Sequence, residues 1–375
     1  MSKKVVLFLA MIFLIVSISV VKANAQDISE LEKSVDSLMD SLSDEVKEDL
    51  ASISVTSPDI THINNIAFED ILELIVSKLS SSSKTPLSAS AIVIAILILN
   101  AIFESYTDAF KLSSTKEVVS VISTLTITTT LVLPIIDLIN DSIATITDAS
   151  NFMLLYIPIM VAILTFSGHV VSSTSYYSFM VLACQGVSQI STKVVSPLLS
   201  VYLGFCVSSS ISDRVNLKGF CQMFSKVIKW LISFTMTIFS ALMTIRGMIT
   251  TAYDSVTARA VRFTMSSFIP VVGAALAESY KTIQGSINLL RTGAGVFVIL
   301  AIFVVFLPCV CRCMMWLLSV NLCKSIGEVI SVSSPINMLS SVSSVISTVF
   351  AITVCVMAVF IISTALLITL GGGGG

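Results

Sequence analysis

Few residues in this chain have types and spacing that could do chemistry, and most are arranged wrongly for it. Cys309-Val310-Cys311-Arg312-Cys313 places three thiols at metal-like spacing. On a helix, residues two apart point about 200° apart and cannot converge on one ion, whereas a structural zinc site needs a closed set of ligands. His62 lies in a polar segment and His169 at the end of an apolar run. No Ser/His/Asp pattern, His-Glu-x-x-His motif or phosphate-cradling glycine loop accompanies them. These residues point to no enzyme, no cofactor and no resident metal. Cys184, Cys206, Cys221, Cys323 and Cys355 also sit in or beside apolar segments, where a thiol behaves as a small buried hydrophobe.

The unusual charges lie between Asp254 and Gly285. Arg259, Arg262, Glu278 and Lys281 flank the turn Phe268-Ile269-Pro270-Val271-Val272-Gly273. Val256 to Phe268 reads as a helix with both arginines on one edge. Pro270 stops it, because proline lacks an N–H and clashes with the preceding turn. A second helix is expected over Ala274 to Leu290, with Glu278 and Lys281 one turn apart. Broken backbone and charge are tolerated in a bilayer where protein covers them or where they line a wet cavity. Arg259, Arg262, Pro270, Gly273, Glu278 and Lys281 are therefore the candidate conduit or partner-docking residues. The plainer alternative is a surface helix whose arginines meet lipid phosphate. A faint echo upstream, Ile157-Pro158-Ile159-Met160 followed by Gly168, marks Pro158 and Gly168 as further candidate helix breaks, and paired breaks are a feature of transporter repeats.

The elements that must hold these residues are membrane spans. The chain has 375 residues, 55% hydrophobic and 12% charged, with mean hydropathy +0.98. A soluble domain is about a quarter charged. The expected fold is all-α: a polytopic helical membrane protein with a cleavable signal peptide and a small exported helical region. Lys3 and Lys4, the uncharged run Val5 to Val21 and Ala23-Asn24-Ala25 make residues 1–25 the signal peptide, an uncleaved first helix being the alternative. Residues 26–86 form the exported region. Up to Lys84 it holds 13 acidic residues against four lysines and has no cysteine, so no disulfide framework. Ile28, Leu31, Val35, Leu38, Leu42 and Val46 line one helical face there, and Asp27 with Glu30 suits its N-cap.

Residues 87–370 form the core, with about seven or eight spans and 254–292 amphipathic or re-entrant. Residues 371–375 are a flexible glycine tail. The runs are Leu87–Phe103, Val118–Ile139, Phe152–Val171, Tyr176–Ser210, Trp230–Ile249, Ala294–Leu318 and Val342–Leu370. Lysine and arginine collect on the cytoplasmic side. That rule puts Asp213–Lys229 and Glu104–Glu117 inside, the acidic Asn140–Asn151 outside, and the N-terminal region extracytoplasmic. Tyr176–Ser210 must then cross twice or not at all. No patch suits nucleic acid, and a homo-oligomer is left open.

Tyr156-Ile157-Pro158, Phe166-Ser167-Gly168, Ser196-Pro197-Leu198 and, above all, Asp254-Ser255-Val256-Thr257 through the Pro270 turn resemble the stage III sporulation protein AE family over roughly residues 150–330. The resemblance implies a multi-pass protein of the outer forespore membrane, in the channel or secretion apparatus joining mother cell and forespore. It implies partners among other stage III sporulation A-type membrane and ring-forming proteins, a separately made cytoplasmic ATPase, and membrane lipid. It transfers no catalytic residue, and nothing carries over to the cysteines near Cys311 or to the glycine tail. Conduit subunit, scaffold recruiting ring proteins, and stand-alone secondary transporter are the three readings it leaves.

Overall fold

The computed structural model describes residues 29–58, 66–110, 113–167, 170–211, 218–268, 273–330 and 333–370, with side chains described except over 246–284 and at a few other positions. The expected signal peptide and the glycine tail lie outside the described residues. Among the described residues every regular element is helical and none is a strand.

The exported region folds as its periodicity requires. Helix α1 (29–40) turns Leu31, Val35 and Leu38 inward, and Leu42 follows them. Helix α2 (Asp44–Ser52) is capped by the Ser43 side chain accepting from the Val46 N–H, and Asp44 and Glu45 complement the positive end of its dipole. Lys78 ties α2 to the next helix, α3 (Phe68–Ala109), with Nζ 2.9 Å from Glu45 and 2.7 Å from Asp49.

Beyond this lie α4 (Ser113–Phe166), α5 (Val170–Ile190), a π-helical segment (Ser191–Val195), α6 (Ser196–Ile211), α7 (Lys218–Phe268), α8 (Gly273–Ile330) and α9 (Ser333–Leu370). Six stretches of these helices are long and apolar enough to cross a membrane: 68–107, 118–166, 173–209, 219–242, 285–330 and 335–368. Large apolar side chains such as Leu99, Leu133, Leu182, Phe234 and Leu289 stand on their outer faces, the arrangement expected where the solvent is lipid. Serine and threonine hydroxyls are returned to the backbone: Thr128 to Thr124 O at 2.7 Å, Ser150 to Ile146 O at 2.7 Å, Thr364 to Phe360 O at 2.9 Å. Such bonds let polar residues sit in an apolar helix without an unmet donor.

Two expectations about the spans need correction. Val118–Ile139 and Phe152–Val171 were read as two crossings with an external loop over Asn140–Asn151. The helix instead runs unbroken through 140–151, burying Ser142, Ile146, Ala149 and Ser150. No glycine or proline lies between Pro134 and Pro158 to stop it, and Pro158 itself lies inside α4 rather than at its end. Tyr176–Ser210 is likewise a single path, α5 into α6, widened by the π segment just before Pro197, whose missing N–H interrupts regular helical bonding. Residues 118–166 and 173–209 are thus one apolar helical stretch each.

Register between helices is explicit. A Cβ on Gly295 would collide with Ile368, and one on Gly327 would come to 3.0 Å from Ile336, so α8 and α9 are antiparallel and in close approach. Ser319 Oγ donates to Pro86 O at 2.7 Å and Cys323 lies against Ser90 O at 3.7 Å, so α3 and α8 run in the same direction.

Candidate functional site

Arg259 and Arg262 lie on α7, and Gly273, Glu278 and Lys281 on α8, all in the stretch whose side chains are not described; Pro270, Gly168, His62 and His169 lie outside the described residues. The helices on either side of Pro270 end at Phe268 and begin at Gly273, and each is continuous with a long apolar helix. Pro158 is exposed on α4, beside buried Tyr156 and Ile157.

What the structure brings together inside the bundle is a different set. Arg291 of α8 is only 2% exposed, and its Nε and Nη1 have no hydrogen-bond partner. Asn288, three residues earlier on the same face, has an unpartnered buried Oδ1. Tyr156 of α4 and Tyr176 of α5 each bury a hydroxyl without a partner, and Tyr156 is in electrostatic reach of both Tyr176 and Arg291. Ser363 of α9 stands beside Tyr176 and donates to the Met180 sulfur at 2.8 Å. The guanidinium of α8 therefore has Tyr156 of α4 in electrostatic reach and makes no ion pair among the described residues, while Tyr176 and Ser363 form a neighbouring polar pair.

Such a cluster is costly unless something completes it. A buried charge without a partner carries a penalty of several kcal/mol, and each unmet buried hydroxyl adds about 1–3 kcal/mol. Ionisable residues among membrane helices usually face a bundle interior or a water path, and mark where ions or polar solutes pass. The unpartnered Arg291 nitrogens and the Tyr156 hydroxyl can donate to water or to an anionic group. The signal was present in the sequence as Asn288 and Arg291 at a three-residue spacing ahead of an uncharged run of 20 residues, Thr292–Cys311.

A second polar level lies along α8 at Arg312. Arg312 forms an ion pair with Asp141 of α4, both about half exposed, and the buried Cys309 sulfur lies 3.2 Å from Ser142 Oγ. Arg291 and Arg312 are 21 residues apart, about 32 Å at 1.5 Å per residue, close to the ~30 Å of a bilayer's hydrocarbon core. The cysteines at 309, 311 and 313 are buried in helix packing, and no group of metal-ligating residues forms among the described residues.

Comparison with known proteins gives the family. A family model described as Stage III sporulation protein AE matches residues 55–371. Stage III sporulation protein AE of Bacillus subtilis (strain 168) is 22% identical over 158 residues, which is 42% of this chain and 40% of that protein. The aligned part thus spans well under half of the relative's length. No solved structure matches. The family match covers most of the polytopic core, including every helix that lines the Arg291 cluster, and on that ground the chain belongs to the Stage III sporulation protein AE family.

Proposed function

We propose that this protein is an integral membrane subunit of the channel or secretion apparatus between mother cell and forespore, and that it serves there as a conduit or permease-like component supporting late forespore gene expression. The observation that carries the conduit reading is the Arg291 cluster, a buried cation on α8 with the unpartnered Tyr156 hydroxyl of α4 in electrostatic reach and that of Tyr176 next in line. A merely structural bundle has no use for it, since apolar residues of similar volume pack at least as stably. The protein does this work without catalysis, in the outer forespore membrane, alongside ring-forming proteins and a separately made cytoplasmic ATPase.

The primary test deletes the gene in the native spore former and follows a late forespore reporter after engulfment. Loss of the reporter with engulfment intact supports the role; normal reporter activity and normal spores refute it. Complementation with Arg291→Leu then separates the mechanisms. A conduit loses reporter activity while ring proteins still localise.

A scaffold reading has its own support. Helices α1 and α2 expose Glu30, Glu32, Asp36, Asp40, Asp44 and Glu45 on one small unit. That unit suits docking of a basic ring subunit, and under this reading removing it delocalises the ring while Arg291→Leu changes nothing.

A further inference from the structure

We propose that the seam between α7 and α9 is a binding site for an anionic phospholipid, its phosphate held by Lys226 and Lys229 and an acyl chain laid along the groove beyond them.

The head of the site is a cavity of about 410 Å³ between α6, α7 and α9. Lys226 and Lys229 are three residues apart on one edge of α7 and reach into it. Neither makes an ion pair among the described residues, and no carboxylate lines the cavity. The remaining lining is rich in uncharged donors. Tyr202 of α6 donates to Ser344 of α9 at 2.9 Å, Ser225 lies 3.4 Å from Thr348, and Gln222 is exposed beside them. Two unmatched cations ringed by hydroxyls and amides suit a phosphate monoanion and offer nothing to a cation.

The tail of the site lies on the same two helices. A more open groove of about 630 Å³ runs between Met236 and Ile245 of α7 and between Cys355 and Ile362 of α9. Its start is seven residues past Lys229, about 10 Å, and it extends nine residues further, about 14 Å, along the uncharged part of α7. Its walls are small or apolar, among them Ala241, Ala358 and Val359. A free phosphate ion would need the head cavity alone. A basic head cavity and an apolar groove in line on the same two helices fit an amphiphile.

The height along the bundle also fits. Thr348 faces Ser225, and the antiparallel register of α8 and α9 places Thr348 opposite about residue 315. Lys226 and Lys229 are therefore within about a turn of Arg312 and Asp141, at the polar level. Trp230, 63% exposed and stacked on Phe234 at 5.0 Å, follows directly, as an aromatic residue does at the headgroup boundary. From Leu231 to Ile245 α7 carries no charge.

The test uses the full-length protein in detergent, read by native mass spectrometry. Palmitoyl-oleoyl phosphatidylglycerol, the matching phosphatidylcholine, and inorganic phosphate are each added at equal concentration. Phosphatidylglycerol is expected to remain bound over phosphatidylcholine, and Lys226→Gln/Lys229→Gln to weaken it about 30-fold, the equivalent of about 1 kcal/mol for each lysine beside an anionic group. Lys324→Gln, at a partly buried lysine paired with Glu328 and not in the cavity lining, leaves binding unchanged. Ala358→Phe, which fills the groove, weakens the long-chain lipid but not glycerol phosphate. Equal retention of the two lipids, or full binding by the double lysine variant, overturns the site. Displacement of the lipid by inorganic phosphate at equal concentration, with Ala358→Phe silent, shows a free-phosphate site and overturns the lipid assignment.

Discussion

Replacing Arg291 with methionine is expected to make this protein more stable and useless. Methionine has nearly the length of the aliphatic part of arginine and adapts to irregular space. The substitution removes a guanidinium that is 2% exposed and has two unpartnered nitrogens, and it leaves the packing of Ile287, Ala294 and Phe297 on the same helix in place. Replacing buried ionic groups by apolar ones of similar volume is neutral or stabilising by about 1–4 kcal/mol. For a large domain each kcal/mol moves the thermal midpoint by about 2–4 °C, so an increase of a few degrees is expected for the purified protein in detergent. The same variant should fail to restore late forespore gene expression. Tyr156→Phe and Tyr176→Phe remove one unmet hydroxyl each and should shift the midpoint upward by smaller steps. The refuting result is a fall of several degrees in Arg291→Met: the guanidinium would then be partnered in the native protein, and the cluster would be ordinary structure. A stable variant with normal sporulation would equally remove the cluster from the conduit.

Three other expectations rest on separate contacts. Gly295→Val drives a side chain into Ile368 and should destabilise by about 1–3 kcal/mol as overpacking does, with Ile368→Ala restoring much of the loss in the double variant; if Ile368→Ala rescues nothing, the α8–α9 register is wrong. Lys78→Met leaves Asp49, whose side chain is 13% exposed, without its cation, and should release α1–α2 from α3, seen as faster limited proteolysis around residue 54 with the transmembrane core intact. The Asp141–Arg312 pair is half exposed, so a double-mutant cycle in detergent should give a coupling of only about 0.5–1 kcal/mol that shrinks with salt; a coupling of several kcal/mol would mean that the pair is sealed from solvent.

What the sequence revealed and what it hid have one physical cause. Windowed hydropathy sees the average, so apolar runs such as Ala294–Leu318 and Val342–Leu370 were plain, as was the three-and-four spacing that buries Leu31, Val35 and Leu38. The average cannot see continuity. A few polar residues in Asn140–Asn151 looked like a loop because Asp141 and Asp148 lower the local mean. A helix ends, however, where backbone bonding fails, and nothing in that stretch makes it fail. Once the helix is continuous, α4 is 54 residues long, about 81 Å, and no single ~30 Å hydrocarbon layer contains it. Some of its length must meet headgroups, water or protein.

The same argument explains why the sequence marks Arg259 as a candidate site residue and Arg291 only as one of the basic residues after the Trp230–Ile249 run. Arg259 sits in a stretch dense with charge and turn residues, so composition drew the eye to it. Arg291 precedes 20 uncharged residues, and one charge barely moves their mean. Free energy is not averaged that way. One unpartnered guanidinium carries a penalty comparable to the gain from burying two or three leucines, whatever surrounds it. Its penalty falls only if water or a polar solute reaches it. A bundle that keeps polar atoms of Arg291, Tyr156, Tyr176 and Asn288 buried without partners is therefore less stable than it could be. Under the conduit reading, Arg291 is where water or a polar solute would lower that cost.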